Sequence, residues 1–314
     1  MFNSTISSLL QVEDSYTLTF DYFKVVKSID TEMRSTLLTW MLEVCEEEKC
    51  TNDIFSLSVN LFDRFMASSS SSSSIYIDKS HLQLIGITCL LIASKVKTSS
   101  LNSIKLIEYT AHTFTLDELL QFELLILDEL KWDVASICSN DFLDALFLLD
   151  EFKQLNLTQE QINLLHKHSH AFTALCSIDF TFAFYSPSII ALTCFMAALQ
   201  GISNSSHLFT STFFVDLIRV DSNLFVHVLD KVKSLFKAEF TSTQHQHQQQ
   251  NETFQFDFSL SSDESLFRLE MTQSDTNSSI SPSTSKFKAK NKFSSQMQQK
   301  SRKSMRRRSG RARG

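Results

Sequence analysis

Residues 33–47 read Met-Arg-Ser-Thr-Leu-Leu-Thr-Trp-Met-Leu-Glu-Val-Cys-Glu-Glu, with apolar side chains three or four positions apart. This spacing places the apolar side chains on one face of an α-helix, which Thr31 can cap at its first turn. Similar apolar patterns recur along the chain, and two of them follow the capping boxes Thr115–Glu118 and Thr158–Gln161. The sequence therefore predicts a series of helices that each bury one face.

Two of the predicted helices, near residues 81–96 and 187–200, are apolar on nearly every side. A helix of this kind belongs at the centre of a bundle, with other helices packed around it. Each is the third of about five predicted helices. The 314 residues include only four Gly and two Pro, too few for the turns of a β-rich or Rossmann-like fold. We therefore expect an all-α protein with two similar five-helix bundles in tandem.

The predicted organisation has four parts. An N-terminal segment with a helix spans residues 1–30, a first bundle spans 31–137 and a second bundle spans 138–240. Residues 241–314 are rich in Gln, Ser and Asn and end in an Arg cluster, which predicts a disordered tail with a basic end. Within the first bundle, the serine run Ser68–Ser74 predicts a floppy loop.

Charge is distributed unevenly along the chain. Twelve of the 29 Lys and Arg lie between Lys286 and Gly314, where there is no acid, so the rest of the chain carries 17 basic against 35 acidic side chains, a formal charge of −18. An acidic body is a poor ligand for nucleic acid, and a basic end is a candidate anion-binding arm. The longest apolar runs are too short to span a bilayer. We therefore expect neither nucleic acid nor a membrane as a direct partner.

No set of catalytic residues can be assembled from the sequence. The body of the chain has only Gly86 and Gly201, too few for a loop that cradles phosphates. Among His166, His168 and His170, the first and last have the i, i+4 spacing of side chains that share a helix face, but no third ligand of the kind that zinc helices add is evident. We therefore expect no enzyme activity, no metal and no cofactor. The six cysteines form no C-x-x-C pair and indicate reduced thiols.

Several motifs resemble, in the same order, those of the cyclin box. Residues 33–47 are similar to its opening helix, and Asp63-Arg64-Phe65 matches the end of its second helix. Ala93-Ser94-Lys95 looks like the end of its third helix, and Glu123 falls where its fifth helix carries a glutamate. The resemblance covers residues 22–240 and implies that the two predicted bundles are a cyclin box and a second cyclin-like bundle.

The segments Tyr22-Phe23-Lys24 and Leu130-Lys131-Trp132 look most like D-type cyclins of the G1 phase. That resemblance implies a non-catalytic subunit, nuclear and cytoplasmic, that activates a G1-type cyclin-dependent kinase, helps recruit its substrates and drives the G1/S transition. It also implies that Lys95 and Glu123 hydrogen-bond the kinase. Spacing alone favours the alternative that Lys95 caps the C-terminus of its own helix and Glu123 is solvated. The alternative is a cyclin-fold transcriptional adaptor without a cell-cycle kinase role, against which the acidic body argues.

A second site is implied by residues on the first and third predicted helices of this box. Cyclins use such positions to dock kinase inhibitors and substrates that carry Arg-x-Leu, and the matching residues are Met33, Leu37, Trp40, Glu43 and Gln83. By resemblance, Glu43 would pair with the Arg of that motif. The alternative is that the apolar members belong to the core, which is the usual fate of such a stripe.

The two ends of the chain carry the remaining expectations. D-type cyclins of animals carry Leu-x-Cys-x-Glu for retinoblastoma-type proteins, and this sequence lacks it, which argues against docking such partners through that motif. Ser281 precedes Pro282 and is a candidate proline-directed phosphorylation site, while Ser304 and Ser309 lie among the basic residues of the tail. Residues 302–308 resemble a nuclear-import signal, with a solvated basic end as the alternative.

Overall fold

The computed structural model describes residues 2–71, 77–97, 101–149, 152, 157–202, 216–247, 257–260 and 267–270. The elements bounded within these ranges are α1 (Phe2–Val12), α2 (Thr31–Glu47), α3 (Asn52–Ser71), α4 (Leu82–Val96), α5 (Ser103–Tyr109), α6 (Leu116–Glu129), α7 (Ser139–Phe147), α8 (Gln159–Ile178), α9 (Pro187–Ile202), α10 (Ser222–His247), β1 (Asp257–Leu260) and β2 (Phe267–Glu270). Helices dominate, and the all-α class with two bundles is confirmed.

The described residues pack into two compact units. The first unit comprises residues 18–136 together with 178–181, and the second comprises 2–17, 137–177 and the described residues from 182 onward to 270. The N-terminal helix α1 therefore packs within the second unit. The first unit is formed mainly by residues 18–136, which lie between α1 and the rest of the second unit in the sequence.

Helix α4 is the centre of the first unit. Its residues from Leu82 to Ser94 are all buried, and it packs against α2, α3, α5 and α6. Gly86 permits the close approach of α2, because a Cβ atom there would lie only 3.0 Å from both Leu37 Cδ1 and Met41 Sδ. Because α4 is surrounded by other helices, it needs no polar face, and its sequence has none.

The helix starts differ little from those predicted. Thr115 and Glu118 form the expected capping box at α6, with the Glu118 amide 3.2 Å from Thr115 Oγ1 and the Thr115 amide 2.8 Å from Glu118 Oε2. The cap of α2 is Asp30 rather than Thr31: its carboxylate accepts a hydrogen bond from the Met33 amide at 2.8 Å. An ionised carboxylate is the stronger acceptor and also favours the positive end of the helix dipole.

The prediction of a loop over Ser68–Ser74 is wrong for the first four serines, because α3 continues through Ser71. The Ser68 hydroxyl donates to Glu129 Oε1 at 2.6 Å, and the Ser70 hydroxyl donates to the Ala67 carbonyl at 2.7 Å. Serine hydroxyls that bond to the preceding turn are compatible with a helix, and Glu129 adds a tertiary partner. Residues 72–76 lie outside the described part of the chain.

The second unit is built around α9. Thirteen of its 16 residues are buried, and it packs against α7 and α10. The helix begins at Pro187, as the sequence predicts, but Gly201 lies inside it rather than beyond its end, since α9 continues to Ile202. Between α9 and α10, the described residues 216–218 are helical.

The C-terminal tail has more structure than the sequence predicts. Helix α10 extends to His247 instead of ending near Phe240, and β1 pairs with β2 in antiparallel register, with Phe258 opposite Leu269. The remaining residues of 241–314 lie outside the described part. Among the helices that are described, none combines the length and the apolar character required to cross a bilayer.

Candidate partner-binding surface

The two residues that the sequence singles out for kinase contact, Lys95 and Glu123, lie next to each other. Lys95 is in the last turn of α4 and Glu123 is in the middle of α6, and these helices pack together. The ammonium nitrogen of Lys95 is 2.5 Å from Glu123 Oε1. The Lys95 side chain is 55% exposed, whereas that of Glu123 is 11% exposed. The structure thus joins both residues in one ion pair at the edge of the first unit.

Helix α6 exposes a row of leucines beside this ion pair. Leu116, Leu120 and Leu124 lie four positions apart, so they share one helix face, and all three are exposed, with Leu124 at 62%. Glu123 lies at the border between this face and the buried face that contains Leu119. We call the three leucines and the Lys95–Glu123 pair the α6 surface. Contiguous exposed apolar side chains of this kind mark protein interaction sites.

Sequence reasoning missed the leucines of the α6 surface. The signal was present, because α6 has leucines on two faces and a bundle can bury only one of them. Ile104 on α5 and Trp132 after α6 are also largely exposed. The first unit therefore displays more apolar surface around α5 and α6 than its own packing needs.

A buried ion pair holds together the helices behind this surface. The guanidinium of Arg34 on α2 binds Asp63 on α3 through two bonds, from Nε to Oδ1 at 2.8 Å and from Nη2 to Oδ2 at 2.6 Å. The Tyr22 hydroxyl donates to Asp63 Oδ1 at 2.8 Å. Arg34 Nη1 also donates to the Ile178 carbonyl at 2.8 Å, and its guanidinium carbon lies 5.2 Å from the centre of the Phe180 ring.

The electrostatics of this network follow from its burial. Burial and the neighbouring Asp63 carboxylate raise the pKa of Tyr22 well above its ordinary value, so its hydroxyl remains a donor. Burial opposes the charge of Arg34, but the ion pair with Asp63 outweighs burial and raises the pKa of the guanidinium. In the sequence, Arg34 belongs to the segment that resembles the cyclin box and Tyr22 to a segment that resembles D-type cyclins. The role of these two side chains in the core was not predicted.

The five residues proposed for substrate docking have different environments. Leu37 and Trp40 are buried, at 0% and 2% exposure, and Leu37 packs against Gly86 of α4. Met33 and Glu43 are only partly buried. The Gln83 side chain is also buried, and within the described residues its amide nitrogen Nε2 has no hydrogen-bond partner. Met33 and Glu43 thus form an accessible rim, and Gln83 supplies a buried donor. Leu37 and Trp40, at the centre of the predicted apolar stripe, belong to the core.

The candidate phosphorylation sites Ser281, Ser304 and Ser309 lie outside the described residues, as does the basic segment 302–308. The expectations for these residues therefore stay predictions. All six cysteines carry free thiols, and the Cys176 and Cys194 sulfurs, 3.7 Å apart, lie in the core of the second unit.

Comparison with protein families gives two matches. The model of the cyclin N-terminal domain matches residues 4–135, and that of the cyclin C-terminal domain matches residues 140–264. The chain is 39% identical over 209 residues to G1/S-specific cyclin-D2 of Mus musculus, a match that covers 66% of this chain and 68% of that protein. It is 37% identical over 247 residues to G1/S-specific cyclin-D1 of Danio rerio, covering 76% of this chain and 81% of that protein.

The rat cyclin-D2 is 40% identical over 199 residues and is matched over 65% of its length, so the chain spans about two thirds of these cyclin-D2 relatives. Among solved structures, a viral cyclin from herpesvirus saimiri superposes with a TM-score of 0.58 at 24% identity. That alignment covers 73% of this chain and 95% of the viral chain, and it shows that the two share a fold.

Proposed function

The chain belongs to the cyclin family, and on that basis we propose that it binds and activates a G1-type cyclin-dependent kinase through its α6 surface. The observation that carries this proposal is the row of exposed leucines on α6 beside the Lys95–Glu123 ion pair. The named relatives at 37–40% identity are G1/S-specific cyclins, which favours a role at the G1/S transition. In this role the chain is a regulatory subunit and the kinase supplies the catalysis.

The α6 surface suits the physical task of a subunit that activates a kinase. An active protein kinase needs a Lys–Glu ion pair in its own active site, and the helix that carries that Glu must be held inward. Holding it requires a rigid apolar contact, which Leu116, Leu120 and Leu124 supply, and polar contacts that set the orientation. The Lys95 ammonium has three donors, and its bond to Glu123 uses one of them. The others can donate to backbone carbonyls of the kinase.

The test separates kinase contact from internal stability. Lys95→Glu should abolish kinase activation and weaken kinase binding by roughly 30- to 4,000-fold, or about 2–5 kcal/mol. The charge swap Lys95→Glu with Glu123→Lys restores the internal ion pair but reverses both charges towards the kinase. We expect the swap to remain inactive with a wild-type unfolding curve. Lys97→Glu is the matched control, since Lys97 lies two residues away and pairs with Asp53 instead.

Recovery of activation by the charge swap would contradict the proposal, because it would show that only the internal ion pair matters. Normal activation by a folded Lys95→Glu variant would contradict it as well. The measurements are the dissociation constant of the kinase complex and the phosphorylation rate of a short peptide substrate.

We further propose that Met33, Glu43 and Gln83 recruit kinase inhibitors and substrates that carry Arg-x-Leu. The partly exposed Met33 offers an apolar contact, and Glu43 offers a charge for the Arg. The Gln83 amide is buried without a partner among the described residues, and turning it outward would give the ligand backbone a donor. Leu37 and Trp40 support this rim from the core. Trp40→Ala would therefore report on folding. Docking is tested instead with variants of the rim residues Met33 and Glu43.

Met33→Asp and Glu43→Lys should slow phosphorylation of an Arg-x-Leu substrate by about tenfold or more while sparing a short peptide without the motif, since one desolvated contact is worth about 1.4 kcal/mol or more. Equal effects on both substrates would contradict docking at this rim. An inhibitor peptide with Arg-x-Leu should lose affinity for the same two variants.

For the tail, we propose a phosphorylation-gated nuclear address that distributes the protein between nucleus and cytoplasm. Seven Lys and Arg lie between Lys300 and Arg311, and phosphates on Ser304 and Ser309 would each add about −1.5 to −2 charges. Deleting residues 300–314 should shift the protein towards the cytoplasm without changing kinase activation in vitro. Continued nuclear accumulation of the truncated Lys95→Glu variant, which cannot be carried in by its kinase, would contradict this proposal.

A further inference from the structure

Three side chains with metal-binding atoms meet on the second unit. Asp144 lies on α7, and His166 and His170 lie one turn apart on α8. One carboxylate oxygen and one nitrogen from each imidazole all lie within 4.8 Å of one another. His170 Nε2 is 3.7 Å from Asp144 Oδ1. A third ligand could not be recognised along the sequence, because Asp144 lies on a different helix from the histidines.

The buried member of this group, His170, is oriented by a second layer of hydrogen bonds. Its Nδ1 is 3.1 Å from Asn140 Oδ1, and the Thr173 hydroxyl donates to the same oxygen at 2.9 Å. Because an amide oxygen only accepts, Nδ1 carries the hydrogen, and in the neutral ring this leaves the lone pair on Nε2, which faces Asp144. Metal-binding histidines are held in this way, with the second ring nitrogen donating to a carbonyl or carboxylate.

The other two members lie at the surface and have room to adjust. His166 is exposed, and its ring stacks on Phe147 with the ring centres 4.0 Å apart. The Asp144 side chain is 63% exposed. Tetrahedral ligands about 2.0–2.1 Å from a zinc ion lie about 3.4 Å from each other. Side-chain rotations that move the ligand atoms of Asp144 and His166 by roughly 1 Å would therefore complete a tetrahedral zinc geometry.

We propose that Asp144, His166 and His170 form a zinc site that links α7 to α8. Two imidazoles and one carboxylate are a ligand set that suits Zn²⁺, and a fourth position remains for water. Because the ligands come from two helices, the bound ion holds the helices together and stabilises the second unit. The expectation of no metal, drawn from the sequence alone, is replaced by this proposal. The site is separate from the α6 surface and does not depend on the kinase proposal.

The test uses the full chain with His245→Gln and His247→Gln, so that the histidines near the end of α10 do not bind metal. Titration with ZnCl₂ should show one site per chain and raise the thermal unfolding midpoint by about 5 °C at a hundredfold excess over the dissociation constant. Co²⁺ should give the visible spectrum of a four-coordinate site without a thiolate charge-transfer band.

Asp144→Asn and His166→Gln alter exposed side chains and should each weaken Zn²⁺ binding by at least about tenfold, because even losses in the second layer cost about 10- to 100-fold. His227→Gln, an exposed histidine of α10 in the same unit, is the matched control and should bind as the parent does. No midpoint shift and no Co²⁺ spectrum in the parent would overturn the proposal. So would equal binding by the parent and both ligand variants.

Discussion

The two units share a plan of construction and differ at their surfaces. Each is built around one helix that is buried on nearly all sides, α4 in the first unit and α9 in the second. Each also has a helix that begins with a capping box, at Thr115 and at Thr158. The first unit alone carries the α6 surface, and the second carries the cluster of Asp144 with two histidines. Similar cores thus support surfaces with different chemistry, and we assign function to the surfaces.

The units also differ in the charges they bury. The first unit buries the ion pair of Arg34 and Asp63, in which two opposite charges neutralise each other. The second unit buries Glu13, whose carboxylate accepts hydrogen bonds from the Ser188 amide at 2.9 Å and the Ser188 hydroxyl at 2.8 Å. Ser188 is in the first turn of α9, so Glu13 satisfies donors at the positive end of a helix. These two arrangements predict mutational effects of different size.

The largest effect is expected in the first unit. Arg34→Ala should lower the free energy of unfolding by about 3–5 kcal/mol, because it leaves the Asp63 carboxylate buried without its counter-charge. Urea unfolding of the full chain measures this loss. Lys97→Ala, which breaks the partly exposed pair with Asp53, should cost about 1 kcal/mol or less and serves as the control. Equal losses of unfolding free energy from the two variants would show that the buried ion pair stabilises the fold no more than the partly exposed one.

A smaller effect is expected in the second unit. Glu13→Ala should cost about 1–3 kcal/mol, because the Ser188 amide and hydroxyl lose their acceptor. The neighbouring exposed acid gives the control variant Asp14→Ala, which should cost about 0.5 kcal/mol or less. A loss from Glu13→Ala as large as that from Arg34→Ala would remove the contrast between the two buried arrangements.

The buried carboxyl group of Glu13 should also make the stability of the protein depend on pH. Burial raises the pKa of Glu13 above its ordinary value of 4.5, although the bonds from Ser188 oppose this. The folded state therefore keeps the proton to higher pH than the unfolded state. Between pH 4.5 and the raised value, the free energy of unfolding should fall as pH rises. The Glu13→Ala variant should lack this component, so its deficit against wild type should shrink with rising pH across that window.

The smallest effects should be equal in the two units. Thr115→Ala and Thr158→Ala each remove the side-chain cap from a helix, and each should cost about 1 kcal/mol. Thermal or urea unfolding of both variants checks this equality. A difference of more than about 1 kcal/mol would mean that the bundles do not use their capping boxes alike.

The sequence was sufficient to predict the features that depend on local pattern. Helix periodicity, the capping box at Thr115 and the apolar character of α4 and α9 come from neighbouring residues, and each appears in the structure. The cyclin-box motifs also brought Lys95 and Glu123 to attention, and the structure places them in contact. Such features need only spacing and residue type.

The features that could not be predicted depend on contacts between distant residues. Ser68 is part of α3 and its hydroxyl bonds to Glu129 of another helix, 61 positions away. Leu120 and Leu119 are adjacent leucines, and only the packing of α6 decides which is exposed. In the same way, Asp144 joins the histidines only after α7 and α8 fold. Residue patterns along one helix contain no information about such partners.

The most direct test of the central claim compares one exposed apolar residue from each unit. Leu124 on α6 is 62% exposed and Val226 on α10 is 53% exposed, so aspartate at either position should leave the fold intact. We predict that Leu124→Asp weakens kinase binding by about 30-fold or more, roughly 2 kcal/mol, while Val226→Asp binds as wild type does. Wild-type affinity of the Leu124→Asp variant, with an unchanged unfolding curve, would contradict the assignment of the kinase contact to the α6 surface.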